Sequence, residues 1–447
     1  MVKKVAIVGA GPSGILLAHY LLRRDEAYQI EIYDRRPDPR SVPFEKVRTY
    51  PLTLNARGIH ALSQIEGLEA SVKAHGTAIW GTVVHGKNGK TRILSRQKPL
   101  FALDRTQLVI TLLEKLTETY PSDRLTLHFN CKCIAADFEQ QSIAFESIPE
   151  SIVEGIVENN VAETLRTNYD LLIGADGAGS VIRDHFLPTD GFTVEAQYIP
   201  TDYKALFPLR RNETVGLDLK PEHIHSWRLD DSTTILAVPT SDAIASGVIT
   251  FSRNNKSFVN LSTTTQVLDF FRQNFPDLSP LIADAEAEAL LNRPISQVLT
   301  IRCSHYHCGN SVLLMGDAAH AVSPSLGQGC NAAFEDVEVL DRLLDEYSDD
   351  LSLVLPEFSI RRKPDAHALV ELSDSPFPLV KALFVELIVR QKLGKVMHRL
   401  LPQYFPASLF ELLSDTTVPY AEILSSYRRW IAKVKRSNQK FFAQQSQ

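Results

Sequence analysis

Cysteine is scarce in this chain and excess charge is absent. Five cysteines in 447 residues are too few, and odd in number, for a disulfide framework, which points to a reducing compartment. A formal net charge of −6 supplies no concentrated basic field, so nucleic acid is not an expected partner. Long apolar runs are missing as well. The nearest approach, Pro378 to Val389, is broken by Lys381 and Glu386, short of the 18 or so residues that span a membrane. Met1-Val2-Lys3-Lys4 before an apolar run imitates a secretory signal, but the run ends in glycines without a small-residue cleavage site. The expected location is therefore cytoplasmic. Repeats are absent, low complexity is confined to a polar C-terminal tail, and no Ser/His/Asp or paired-carboxylate constellation appears. The length suits two or three domains.

What is present begins with glycine. Gly9-Ala10-Gly11-Pro12-Ser13-Gly14 follows the apolar run Val5-Ala6-Ile7-Val8, and Gly316-Asp317-Ala318-Ala319-His320 follows Val312-Leu313-Leu314-Met315. Between them, Asp170 to Gly177 reads as a strand entering an Asp-Gly turn, a pattern that is common in plain β-turns too. Gly9 and Gly11 let backbone turn tightly against a pyrophosphate, and Gly14 lets a helix pack close on its strand. The helix N-terminus then offers free N–H groups and partial positive charge. Asp34 ends a second strand about 20 residues further on, placed to accept hydrogen bonds from ribose hydroxyls. Asp317 is placed to hold a ribityl hydroxyl. The loop Pro324 to Gly329 leads into a helix whose N-terminus favours an anion. The first loop alone does not separate NAD from FAD. The three together, in this order, point to one flavin gripped at both ends.

Hydrophobic periodicity predicts a buried strand at 3–8, a helix at 13–24 and a strand from Gln29 to Asp34. It also predicts helices at Leu54 to Leu62 and 104–119, and strands at Arg124 to Phe129 and Asp170 to Ile173. From about 190 to 300, short alternating runs such as Thr234 to Val238 and Ser246 to Phe251 predict an antiparallel sheet, with a helix at Gln266 to Phe275. Beyond 329 the pattern is mainly helical. The expected class is α/β with an α+β insertion: a Rossmann-like FAD-binding domain, an antiparallel-sheet substrate domain and a helical C-terminal region. The expected boundaries are 1–185 and 299–360 for the two parts of the FAD-binding domain, 186–298 for the substrate domain, and 361–447 for the helices. His320 is expected as a helix-packing residue rather than a base. Cys303, His305, His307 and Cys308 imitate a metal site. On one alternating strand, however, the two histidines share a face that the cysteines cannot all join, and no metal is expected. Cys131 and Cys133 are read as packing residues.

Beyond the glycine loops, several stretches carry a family likeness: Arg48 to Gly58, Leu127 to Asn130, Phe270 to Pro276, Gly327 to Asp336 and Asp350 to Leu353. With them, residues 3–435 resemble the class A (single-component) flavoprotein monooxygenases of the p-hydroxybenzoate hydroxylase superfamily. The most similar branch is that of the kynurenine 3-monooxygenases. The resemblance implies bound FAD, NADPH or NADH as co-substrate, and O2 and an aromatic small molecule as reactants. Hydroxylation would run through a flavin C4a-hydroperoxide. It implies that Gly9, Gly11, Gly14, Asp34 and Arg35 hold the ADP half of FAD, that Arg105 reaches the pyrophosphate region and that Arg48 lies near the flavin. Asp176 and Gly177 would serve both FAD and NAD(P)H, and Gly316 and Asp317 the ribityl chain. Pro324, Gly327, Gly329, Cys330 and Asn331 would form the loop beside the isoalloxazine. Of these, Pro324, Gly329 and Asn331 would carry the catalytic role, without a side-chain acid or base.

Against that branch, Thr82 stands where an arginine is usual and Ser325-Leu326 where a bulky aromatic pair is usual, and no tyrosine falls between 93 and 100. These departures set kynurenine itself aside, and the expected substrate is an aromatic or similarly conjugated compound that resembles kynurenine at most in class. A catalytically idle FAD protein and a flavin reductase or halogenase are the alternatives, although the halogenase Trp-x-Trp-x-Ile-Pro motif is absent. Residues 427–440 carry Arg428, Arg429, Lys433, Lys435, Arg436 and Lys440 and no acid. They read as a solvated basic face or as a weak peripheral contact with a membrane surface. A monomer or homodimer is expected.

Overall fold

Val5-Ala6-Ile7-Val8 offers no polar side chain to water, and it becomes the centre of a six-stranded sheet with both faces covered. The computed structural model describes residues 2–24, 28–42, 51–86, 89–148, 164–189, 191–206, 209–210, 219–241, 244–401 and 403–445. Lys3–Val8 lies between Leu171–Gly174 and Tyr28–Tyr33, both parallel to it. Leu125–His128 and Val312–Leu314 extend the parallel set on either side, and His307–Cys308 closes one edge antiparallel. Register sets Val8 opposite both Tyr33 and Gly174, and Gly174 opposite Leu314. Four strands therefore end level. The loops that begin at Gly9, Asp34, Ala175 and Met315 open on one edge, where open α/β sheets take their ligands.

The helix Pro12–Leu22 is buried along almost its whole length, as a helix with so few polar side chains must be. It starts at Pro12, whose fixed φ and missing N–H suit a first turn. Helices Arg105–Thr119 and Gly329–Glu346 pack over it. The helix expected at 54–62 begins later. Pro51–Leu54 is a strand, and Asn55 caps Ala56–Ser63 by accepting from the N–H groups of Arg57 and Gly58.

The second sheet has nine strands among the described residues. Its spatial order is Ser296–Cys303, Val194–Ala205, Ile244–Ser252, Thr234–Ser241, His223–Arg228, Thr77–His85, Thr91–Asp104 and Pro51–Leu54, with Leu209–Arg210 pairing beside Ile244–Ser252. Every pairing is antiparallel except His223–Arg228 against Thr77–His85. The sheet thus draws three strands from residues 51–104. Alternation sorts its faces. Ile235, Ala237 and Ile249 enter a core with Phe258, Phe270, Phe271 and Phe275. Thr82, Ser226, Arg228, Thr234 and Leu236 turn to a cavity of about 1420 Å³. Helices Leu351–Asp374, Lys381–Leu400 and Tyr420–Gln445 wall its far side.

Two further expectations meet the structure here. Cys303 to Cys308 is not one alternating strand: the chain leaves the second sheet at Cys303, turns, and joins the first at His307. Tyr306, fully buried between His320 and Phe358, anchors that crossing. On the final helix, Lys433 and Lys435 pair with Glu386 and Glu371, so part of the basic face is neutralised by neighbouring helices. No helix among the described residues is long and apolar enough to cross a membrane.

Candidate active site

Three glycine loops meet at the level edge of the first sheet. The Gly9 N–H donates to Tyr33 O at 2.7 Å, and a Cβ on Gly9 would lie 2.3 Å from Ala175 O. The first loop is thus pressed against the middle one. Gly14 brings its helix onto the strand end, where a Cβ would meet Gly9 O at 2.3 Å. Gly11 differs: nothing described lies within 4 Å of its Cβ position. It faces open space in front of a helix N-terminus that no side chain caps, an arrangement suited to a phosphate. Gly316 adopts φ +58°, with its Cβ position 3.2 Å from Ser13 Oγ, so the third loop touches the first.

The acidic residues divide into satisfied and unsatisfied. Asp34 is buried, and its carboxylate accepts from the N–H of Ala10 at 2.9 Å and from the backbone, Nε and Nη2 of Arg36. Burial pushes its pKa up, but the Arg36 guanidinium and these N–H groups outweigh that and hold it below the usual range. A carboxylate has about four lone-pair sites and all four are taken here, so a ribose hydroxyl would have to displace one of the Arg36 contacts. Arg36 was not among the sequence candidates. Arg35, which was, is exposed. Arg48 lies outside the described residues.

Asp176 Oδ2 accepts from the N–H of Val181 at 2.7 Å, whereas Oδ1 is buried with no partner among the described residues. Burial raises its pKa. An orphaned buried carboxylate oxygen in a glycine turn fits a bound hydroxyl or amide donor. Asp317 opens onto the cleft but is surrounded by enough protein that desolvation raises its pKa, with Arg105 and His320 opposing. Arg105 opens its helix in an exposed position and makes no hydrogen bond among the described residues. Cys330 sits by the same pair, its thiol pushed up to about 12 by burial.

Asn331, in the first turn of Gly329–Glu346, is held by the protein through its side chain. Its side chain is fully buried, its Nδ2 donates to Thr53 O at 2.8 Å and Gly327 O at 2.9 Å, and its Oδ1 accepts from the Asn55 N–H. These contacts tie the start of the helix to Thr53, Asn55 and Gly327. Asn331→Ala should cost about 3 kcal/mol and loosen flavin binding with it. An unchanged urea midpoint would contradict this. Pro324–Leu326 forms a single 3-10 turn, Gly327 follows at φ +64°, and Pro324 and Ser325 border the 1420 Å³ cavity. The turn links cleft to cavity. His320 is buried 2.7 Å from Asp336 Oδ2, in keeping with a packing role.

The fold and these loops define an FAD-dependent oxidoreductase: the residues present fit the cofactor at an open glycine, an uncapped helix start and an orphaned carboxylate oxygen. The family model described as an FAD binding domain matches residues 3–373. Over 444 residues the chain is 30% identical to kynurenine 3-monooxygenase of Sus scrofa, covering 98% of this chain and 89% of that protein. It is 31% identical to the kynurenine 3-monooxygenase of Legionella pneumophila (strain Corby), covering 95% and 90%. Among solved structures, 2-methyl-3-hydroxypyridine-5-carboxylic acid oxygenase superposes with TM-score 0.65 at 19% identity, over 83% of this chain and 90% of that one. Pseudomonas aeruginosa PqsL in complex with 2-aminobenzoylacetate gives 0.63 at 20%, over 84% and 95%. The chain belongs to the FAD-binding monooxygenase family that contains the kynurenine 3-monooxygenases. It is an FAD-dependent monooxygenase of aromatic compounds, with NADPH or NADH as co-substrate.

Proposed function

We propose that the chain hydroxylates an aromatic small molecule of kynurenine-like class, bound in the 1420 Å³ cavity beside the Pro324 turn. The observation carrying this reading is the continuity of that cavity with the turn that leads to Gly327, Gly329 and Asp317. Bound FAD, reduced by NAD(P)H, supplies the activation of O2 and the transfer of one oxygen atom to the ring. The chain's own residues do the rest. Gly11 and the uncapped start of Pro12–Leu22 receive the pyrophosphate, Asp34 and Arg36 meet the ribose, and Arg105, Asp176 and Asp317 take the central part of the cofactor. The helix Gly329–Glu346, which no side chain caps, turns its positive end toward the ring system. The sheet and the C-terminal helices keep water away from the reacting ring.

In this reading the domain bounds 1–185, 186–298, 299–360 and 361–447 stand as proposals, with strands from 51–104 lent to the substrate sheet. So do a cytoplasmic location, supported by five cysteines unpaired in the structure, and a monomer or homodimer. Thr82 lines the cavity, so kynurenine itself would bind without an arginine at that position.

The test is NADPH oxidation by the yellow protein with and without L-kynurenine and related anilines, phenols and indoles. The expected result is faster flavin bleaching with at least one of them and a product heavier by one oxygen. Flavin that NADPH bleaches with none of them would leave an idle flavoprotein. Separately, Asp317→Ala should weaken flavin binding about thirtyfold without lowering the urea midpoint, since burial already disfavours the charged carboxylate. Wild-type flavin affinity in that variant would remove Asp317 from the cofactor site.

A further inference from the structure

Most charges on the cavity wall are paired. Arg96 meets Asp415 at 2.6 Å, Arg302 meets Asp374 at 3.1 Å, Lys395 meets Glu411 at 3.1 Å and Lys435 meets Glu371 at 3.0 Å. Arg92 and Lys392 also line the cavity, but both are exposed and solvated. Arg228 is neither. It is largely withdrawn from water, and among the described residues no carboxylate pairs with it. Its Nη2 donates to Pro378 O at 3.1 Å, and the guanidinium stands 5.2 Å from the centre of the Phe384 ring. A guanidinium has five donors, and this one has a single protein acceptor among the described residues.

The position is fixed rather than incidental. Arg228 follows Trp227, which is buried on the opposite face of the strand, and pairs with Thr234 in the next strand. Alternation therefore sends Arg228 to the cavity with Ser226, beside Thr234 and Leu236. Burial without an opposing charge lowers its pKa. Leaving a cation in that state is costly unless something else neutralises it.

We propose that Arg228 is the anchor for an anionic group on the substrate, so that the natural substrate is an aromatic compound bearing a carboxylate or equivalent anion. This rests on the cavity being the substrate site of the monooxygenase. Because Pro378 and Phe384 hold the guanidinium from the helical side, the anion would be gripped where sheet and helical cover meet. A bidentate guanidinium–carboxylate contact also fixes the direction in which the ring points, which a lone ammonium would not.

The experiment uses the flavin-loaded protein and three matched acid and amide pairs: anthranilate and anthranilamide, indole-3-acetate and indole-3-acetamide, quinoline-2-carboxylate and its carboxamide. Binding is read calorimetrically and by the shift in flavin absorbance. At least one acid should bind about tenfold or more tightly than its amide. In Arg228→Gln that preference should vanish while the amide binds as before, and Arg228→Lys should restore part of it. If no acid is preferred by the wild-type protein, or the preference survives in Arg228→Gln, the proposal is wrong. Should Arg228→Gln fail to fold, Arg228→Lys carries the comparison: its acid preference must fall severalfold with the amide unaffected. NADPH bleaching in the same preparations reports separately on the oxygenase reading. Acid preference without bleaching would overturn that reading and leave the anchor in place.

Discussion

Gly9→Ala is expected to give a protein that folds poorly and holds no flavin, whereas Gly11→Ala should fold normally and lose only flavin affinity. Gly9 has φ +111°, a region that side-chain-bearing residues rarely enter, and its Cβ position lies within 3 Å of three backbone atoms of Ala175 and Asp176. Those atoms have little room to retreat. Ala175 N donates to Val8 O, and Gly9 N donates to Tyr33 O, so displacement would tear the ends of three paired strands. Strain and clash together should cost about 3 kcal/mol or more. At Gly11, φ is −83° and the Cβ position is open, so an alanine is conformationally harmless and only obstructs what approaches from the cleft. Urea midpoints and flavin titrations separate the two effects. A Gly11→Ala protein with wild-type flavin affinity would mean that the pyrophosphate does not pass this glycine.

That contrast marks how far the sequence could be read. Local signals carried the first sheet well. The apolar run at 5–8, the glycines, the helix after them and the acid at the end of the next strand are all near neighbours in the chain, and the structure joins them as expected. The glycine loop at 316 was legible for the same reason. Pairings between distant segments were not. Nothing in Thr77–His85 announces that it will lie parallel to His223–Arg228, because alternation shows which side chains share a face and not which strand comes alongside. Arg36 escaped notice although it stands two residues from Asp34, since only the backbone turn after that strand brings its guanidinium around. Asn331 drew attention for its place in a glycine-rich loop, yet its partners are Thr53, Asn55 and Gly327. Arg57 and Arg362 are charged residues at 0% and 2% exposure, positions that composition would assign to the surface.

Those two arginines belong to a network beneath the site, and it carries the other large expected effect. Asp336 is fully buried. Its Oδ2 accepts from the Gly316 N–H at 2.8 Å and lies 2.7 Å from His320 Nε2, and its Oδ1 accepts from Arg362 Nε. Arg362 also reaches Glu335 and Asp365, both at 2.8 Å, and Glu335 in turn holds Arg57. The Gly316 contact makes this network the support of the third glycine loop. Asp336→Asn keeps the shape but takes away one of the three carboxylates that face Arg362 and puts an NH2 group where an acceptor served, and breaking one arm of a buried ionic network is costly. The expected loss is about 3–5 kcal/mol at neutral pH, together with weaker flavin binding as Gly316 loses its acceptor. Burial alone would raise the Asp336 pKa, but His320 and Arg362 outweigh it and hold it below the ordinary carboxylate value. A depressed carboxylate contributes stability above its unfolded pKa, near 4, and loses it as the pH falls through the folded value. The gap between wild type and Asp336→Asn should therefore be widest near pH 7 and narrow progressively below about pH 4. Urea midpoints across that range decide the matter. A gap that stays constant with pH would mean that Asp336 acts through shape alone, and equal midpoints at pH 7 would remove the network as a support of the site.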